Sequence, residues 1–183
     1  MSTIAPPTSK PAGITETLWF NALWFQSTWF CTVLGRDEWL PLAFAMIALH
    51  LALVRDVWRE LLILSTIASI GIAVDASLSY GDFFQFSNGA LVPLWLCCLW
   101  LAFATTMTRS LAWLGPHPLW AALAGAVVIP LNYWAGQRLG AVDFPQPLAL
   151  TLVVMGTTWA LLLPVMYRLA ARLKEAEPEL ATA

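Results

Sequence analysis

One carboxylate, Asp75, lies inside the apolar run LLILSTIASIGIAVDASLSY, residues 61–80. An ionised carboxylate in a membrane span costs up to about 2.5–3.5 kcal/mol at mid-bilayer and less near the interface, so its presence there demands a partner or a role. Its functional reading is a proton- or cation-binding site, or the polar anchor of a substrate pocket. The alternative is a carboxylate one or two turns from the membrane surface, hydrogen-bonded to Ser79, Asn88 or water. Asn132, Tyr133 and Thr32 fall at a similar predicted depth, with Gln26 nearer the middle and Arg138 at the outer edge. An outer-half pocket of Asp75, Asn132, Gln26, Tyr133 and Arg138 is therefore expected. Within it Arg138 either pairs with Asp75 or snorkels to headgroups.

The remaining titratable groups are sparse. His50 sits near the other end of its run, and folding the first two runs into a hairpin at residues 36 to 37 brings it within about one turn of Asn21. A structural Asn21 to His50 hydrogen bond is expected, while His117, between two prolines, is expected to be exposed. Two histidines at different depths, with no His/Asp/Glu cluster, point to no metal site. Cys31, Cys97 and Cys98 lie in apolar runs without CxxC spacing and read as small buried thiols. No Gly-rich phosphate loop, nucleophile elbow or HExxH is present, so no catalytic residue and no cofactor is assigned.

These residues need elements to hold them, and composition dictates which. Of 183 residues 60% are hydrophobic and 11% charged, against roughly 25% charged in a soluble domain. The apolar excess falls in blocks close to the ~20 residues that a helix needs to cross a ~30 Å hydrocarbon core. The expected fold is an all-α polytopic bundle of six spans at about 18–34, 39–54, 61–80, 90–107, 119–135 and 148–169. A polar, Pro-rich tail (1–17) precedes this transmembrane domain (18–171) and a charged tail (172–183) follows it. The first run leads straight into a second without a small-residue cleavage pattern, which argues against a cleaved signal peptide. The net charge of −2 gives no basic field for nucleic acid.

Helical spacing adds detail. Trp-Phe pairs at 19, 24 and 29 advance by roughly 140° and wrap the first helix, whereas Asn21, Thr28, Thr32 and Gly35 share one polar and small face suited to helix contact. Thr15 and Glu16 are expected to cap the first helix and Asp37 the second. Leu64, Ala68, Gly71 and Ser79 share the Asp75 face, mostly small, so another helix can approach it closely. Pro130 predicts a kink that frees the Ala126 carbonyl, and Gly136 with Gly140 permits self-association. Trp19, Trp39, Trp58, Trp113 and Trp134 fall near span ends, as an interfacial belt requires. Trp24, Trp29, Trp95, Trp100 and Trp159 lie deeper and are expected mainly to pack, with an apolar cavity as the other possibility. With six spans, seven of the nine Lys and Arg fall on one side and only Arg36 and Arg138 on the other, which puts both termini in the cytoplasm.

NALWFQSTWF (21–30), VPLWLCCLWLAF (92–103) and PLNYWAGQRLGAV (130–142) together resemble a family of small proteobacterial inner-membrane proteins known only as a domain of unknown function. The resemblance implies a multi-pass protein of the bacterial inner membrane. It brings no site residue, and it hints at lipid metabolism through genes for fatty-acid-modifying enzymes that lie beside members. A zinc-transport label attached to some members gains little from this sequence. The expected function is a non-enzymatic component of lipid or envelope homeostasis, partnered by the bilayer and by a neighbouring lipid-modifying enzyme. The alternatives are a small transporter for a lipophilic or protonatable solute with Asp75 in its path, and an integral-membrane lipid-modifying enzyme.

Overall fold

A computed structural model describes residues 13–175. The polar tail up to residue 12 and the end of the charged tail, residues 176–183, lie outside the described residues. Six helices follow in order: α1 (Leu18–Gly35), α2 (Leu40–Leu53), α3 (Val57–Tyr80), α4 (Leu94–Met107), α5 (Pro118–Arg138) and α6 (Leu148–Glu175), with short 3-10 turns at Ile14–Glu16 and Ala112–Leu114. Among the described residues the only extended pairing is one antiparallel bridge, Gln85 to Asp143. The fold is all-α, as expected.

The helix bounds depart from the sequence reading where local chemistry intervenes. α4 starts at Leu94, four residues later than expected, because Pro93 is extended (φ −73°, ψ 155°) and serves as the N-cap. α3 begins at Val57, because Asp56 accepts a hydrogen bond from the Arg59 N–H and caps it. α6 continues past residue 169 to Glu175, so part of the expected charged tail is helix. Thr15 and Glu16 do not cap α1: they form the 3-10 turn, Thr15 is buried, and the N-cap is Thr17, whose hydroxyl donates back to Ile14 O. Asp37 does not cap α2 either, its carboxylate accepting from Asn88 instead.

Three helices, α3, α5 and α6, are long and apolar enough to cross a membrane. At about 1.5 Å per residue, α2 and α4, with 14 residues each, cover only ~21 Å. α1 has the length, but Asn21, Gln26 and its tryptophans dilute its apolar character. Leu23, Leu62, Leu123, Val153 and Leu161 stand exposed on outer faces, as in a membrane protein.

α4 packs against α1, α2 and α3, while α5 packs along α6, which in turn contacts α3. Glycines set these distances. A Cβ on Gly125 would stand 2.2 Å from the Trp159 carbonyl oxygen, and one on Gly156 would stand 2.8 Å from the Ala126 oxygen. Pro130 does not interrupt α5, and the Ala126 carbonyl that it frees lies against Gly156. Gly136 is buried within the chain, and Gly140 lies beyond the helix end at φ +73° beside the Arg36 guanidinium. The two therefore do not form a single small-residue helix face.

Connections gather at two ends. At one, Arg36 donates to Leu139 O (3.0 Å), Asn88 to Asp37 (3.1 Å), and Gln85 pairs with Asp143. At the other, Glu16, His50, Glu60 and Arg109 meet, and the Tyr167 hydroxyl donates to Leu111 O (3.1 Å). Successive helices thus run in alternating directions.

Candidate functional site

Asp75 is fully buried, at 0% exposure. Both of its hydrogen bonds fall on one oxygen: Trp100 Nε1–H donates to Oδ2 at 2.6 Å and the Tyr133 hydroxyl donates to the same atom at 2.5 Å. Oδ1 has no hydrogen-bond partner among the described residues. One carboxylate oxygen therefore ties α3 to α4 and α5 together.

The local sequence explains the reach of each donor. Gly71 lies one turn before Asp75, and a Cβ there would stand 2.3 Å from the Trp100 ring. The indole lies across this bare backbone, stacked on Trp159 (5.0 Å, 26°) and edge-on to Phe103 (5.5 Å, 89°). The small face expected around Asp75 admits an aromatic side chain as well as a helix. The Tyr133 ring stacks on Phe84 (4.9 Å, 11°), which stacks on Phe144 (5.7 Å, 25°). The loop after α3 thus folds a buried aromatic over the end of the site.

Trp100 and Tyr133 also line a cavity of about 150 Å³ between α1, α4 and α5. Phe25, Trp29 and Val33 supply the α1 side, Trp95, Leu99 and Phe103 the α4 floor, and Ile129, Asn132 and Gly136 the α5 side. Its lining is almost wholly apolar. A cavity with so apolar a lining suits an apolar guest. Asp75 lies behind this lining, screened by the two side chains bonded to it.

The expected pocket is thus only partly assembled. Tyr133 meets Asp75, and Asn132 lines the adjoining cavity with its amide N–H on Val128 O (2.8 Å). Gln26 is exposed on another face of α1, and Arg138 is exposed and makes no ion pair with Asp75. Ser79 donates to Phe84 O (3.2 Å) and Asn88 to Asp37, so neither partners Asp75. Trp100 is the partner that sequence reasoning missed. Of the deeper tryptophans, Trp29, Trp95 and Trp100 line the cavity. Trp19, Trp39, Trp58, Trp113 and Trp134 are all exposed.

The far end holds a second buried polar cluster. The Arg109 guanidinium is 5% exposed and grips Glu60 with both terminal nitrogens, at 2.9 Å to each carboxylate oxygen. His50 Nε2 lies 2.8 Å from Glu60 Oε1, and Glu16 lies 3.2 Å from Arg109. Burial works against the Arg109 charge, but its bonds to Glu60 and the charges of Glu60 and Glu16 outweigh this and hold the guanidinium above its ordinary arginine value. Asn21 does not pair with His50. Its amide N–H donates to Thr105 (3.0 Å) and its oxygen accepts from Ser110 (2.6 Å), because α4 lies over the α1 face that carries it. His117 contacts Trp113 O at 2.7 Å. No group of three or more His, Cys, Asp or Glu among the described residues is arranged to hold a metal.

A protein family described as "Protein of unknown function (DUF2878)" matches residues 18–165, and the chain belongs to it. No curated protein and no solved structure matches the chain.

Proposed function

We propose that this member of the family crosses the bacterial inner membrane with all six helices, both termini cytoplasmic. It holds one chain or ring of a membrane lipid in the cavity between α1, α4 and α5, as a non-enzymatic component of lipid or envelope homeostasis. The observation that carries this reading is the cavity itself, apolar, walled by aromatic rings and bordered by the exposed α5 residues Val128 and Asn132. In a bilayer the medium at that border is lipid. The short α2 and α4 fit a six-span arrangement through local bilayer thinning and the buried polar clusters at either end. The excess of Lys and Arg at the Arg109 end supports its cytoplasmic placement. A neighbouring lipid-modifying enzyme is the natural partner for a protein that presents a lipid without a catalytic constellation of its own.

Orientation has a direct check. A reporter fused after Ala183 is expected to be active in the cytoplasm, and activity confined to the periplasm would refute the topology.

The lipid reading is tested by filling the cavity. Gly136 borders it, and an added Cβ there meets nothing closer than Val142 at 3.8 Å. Gly136→Leu should therefore fold, displace the lipid that co-purifies with the wild type in native mass spectrometry, and fail to restore the lipid profile of a deletion strain. Normal complementation by a folded Gly136→Leu protein would reject the cavity as the working site.

A further inference from the structure

We infer that Asp75 determines which lipophilic guests the cavity admits, by clamping Trp100 and Tyr133 and so fixing the gap between α4 and α5. The inference rests on the proposed lipid reading and deepens it.

The backbone of α5 packs along α6, and no comparable packing joins it to α1 or α4. The cavity occupies that gap. Behind it the Tyr133 bond to Asp75 and the stack of the Tyr133 ring on Phe84 tie α5 to α3 and to the loop that follows α3. On the α4 side, Trp100 is held over Gly71 by its bond to the same Asp75 oxygen. One side chain therefore orients two of the rings that line the cavity. With both rings fixed, the space of about 150 Å³ suits a single unbranched chain or one ring better than a fused-ring guest of larger cross-section. Asp75 is a positioning residue here, since it lies behind the lining and touches no guest.

Both donors land on Oδ2, and this detail separates a clamp from a charge. An amide carbonyl oxygen can accept both bonds. Asp75→Asn should therefore keep the clamp closed, whereas Asp75→Ala removes the acceptor. Tyr133→Phe removes one donor and preserves the ring and its stack on Phe84. If the site worked through its negative charge, Asp75→Asn would behave like Asp75→Ala.

The experiment uses the full chain in nanodiscs, with spin labels at Phe30 of α1 and Leu131 of α5, both exposed, and with Cys31, Cys97 and Cys98 replaced by alanine. Pulsed dipolar distances are recorded for the wild type and the three variants. In parallel, native mass spectrometry compares binding of a saturated single-chain amphiphile and a four-ring sterol. Tyr133→Phe and Asp75→Ala should broaden the distance distribution outward. They should also raise sterol binding relative to chain binding by about five- to thirtyfold, the change in an equilibrium that one or two net hydrogen bonds produce. Asp75→Asn should match the wild type in both readouts. Unchanged distances and guest preference in both Tyr133→Phe and Asp75→Ala would overturn the clamp, as would equal opening by Asp75→Asn and Asp75→Ala. If the distances widen as expected but no variant binds either guest, the clamp stands and the lipid reading falls. If the wild type binds the chain and Gly136→Leu does not, while neither Tyr133→Phe nor Asp75→Ala changes distances or preference, the lipid reading stands and the clamp falls.

Discussion

Replacing Glu60 by alanine is expected to destabilise the bundle by about 3–5 kcal/mol, the cost of leaving a buried partner charge uncompensated. Glu60 accepts both terminal nitrogens of Arg109 and faces His50, with Arg109 and Glu60 side chains 5% and 8% exposed. Without Glu60, only the half-exposed Glu16 remains beside the guanidinium. Glu60→Gln should cost less, because an amide still accepts one of the bonds. The double variant Glu60→Leu/Arg109→Met should cost much less than the sum of its parts, since removing both charges removes the need to compensate either. Reversible unfolding in mixed sodium dodecyl sulfate and dodecyl maltoside micelles measures all three. Additive losses in the double variant would show that the pair is not the energetic unit that its geometry indicates.

The positions of the helices were legible because lipid demands long apolar runs, and the loops between them carry the charges. The partners of the buried groups were less so. Asp75 stands out in any reading of residues 61–80, yet its donors come from Trp100 and Tyr133 on other helices. Which side chain reaches it depends on how close α4 comes at Gly71, a distance that no single helix encodes. Arg138, the charged candidate, sits at the end of α5 and points outward, where its charge keeps its water. The Glu60 cluster is hard to see in the sequence because Glu60 and Arg109 lie near span ends, where charge is ordinarily solvated. A signal was present all the same. Glu60, Leu64, Ala68, Gly71 and Asp75 recur at spacings of three and four, so Glu60 lies on the same buried face as Asp75.

That shared face gives α3 a particular place in the molecule. Its two carboxylates lie fifteen residues apart on one side, ~22 Å at helical rise. Each gathers donors from other elements: Arg109 and His50 at one end, Trp100 and Tyr133 at the other. Between them Leu64, Ile67, Ala68 and Gly71 are all buried and apolar or small. Apolar contact gives little preference for one helix neighbour over another in lipid, where tails solvate leucine equally well. The two polar centres supply the register that the apolar middle lacks. Only the Asp75 centre adjoins the cavity, which separates the residues expected to govern guests from those expected to govern stability alone.

Gly125→Ala should be the most damaging single-methyl change in the molecule, costing ~3 kcal/mol or more, the upper end for overpacking a tight core. The added Cβ would stand 2.2 Å from the Trp159 carbonyl oxygen, 2.6 Å from its carbon and 3.1 Å from the Ala160 nitrogen. All three are backbone atoms of α6, so no side-chain rotation relieves the clash and the two helices must separate. Separation strips α5 of its main packing partner and disturbs Trp159, whose ring supports Trp100 over Gly71. The damage should therefore reach the Asp75 site from a distance. Gly136→Ala, on the same helix but with only an ordinary contact to Val142 (3.8 Å) at its Cβ, should stay within about 1 kcal/mol of wild type, and the small helix-propensity gain of alanine works in its favour. Thermal shift and micelle unfolding of the two variants side by side give the comparison. Equal stability would mean that α5 and α6 can part without loss, and that the close approach at Gly125 and Gly156 is incidental to the fold.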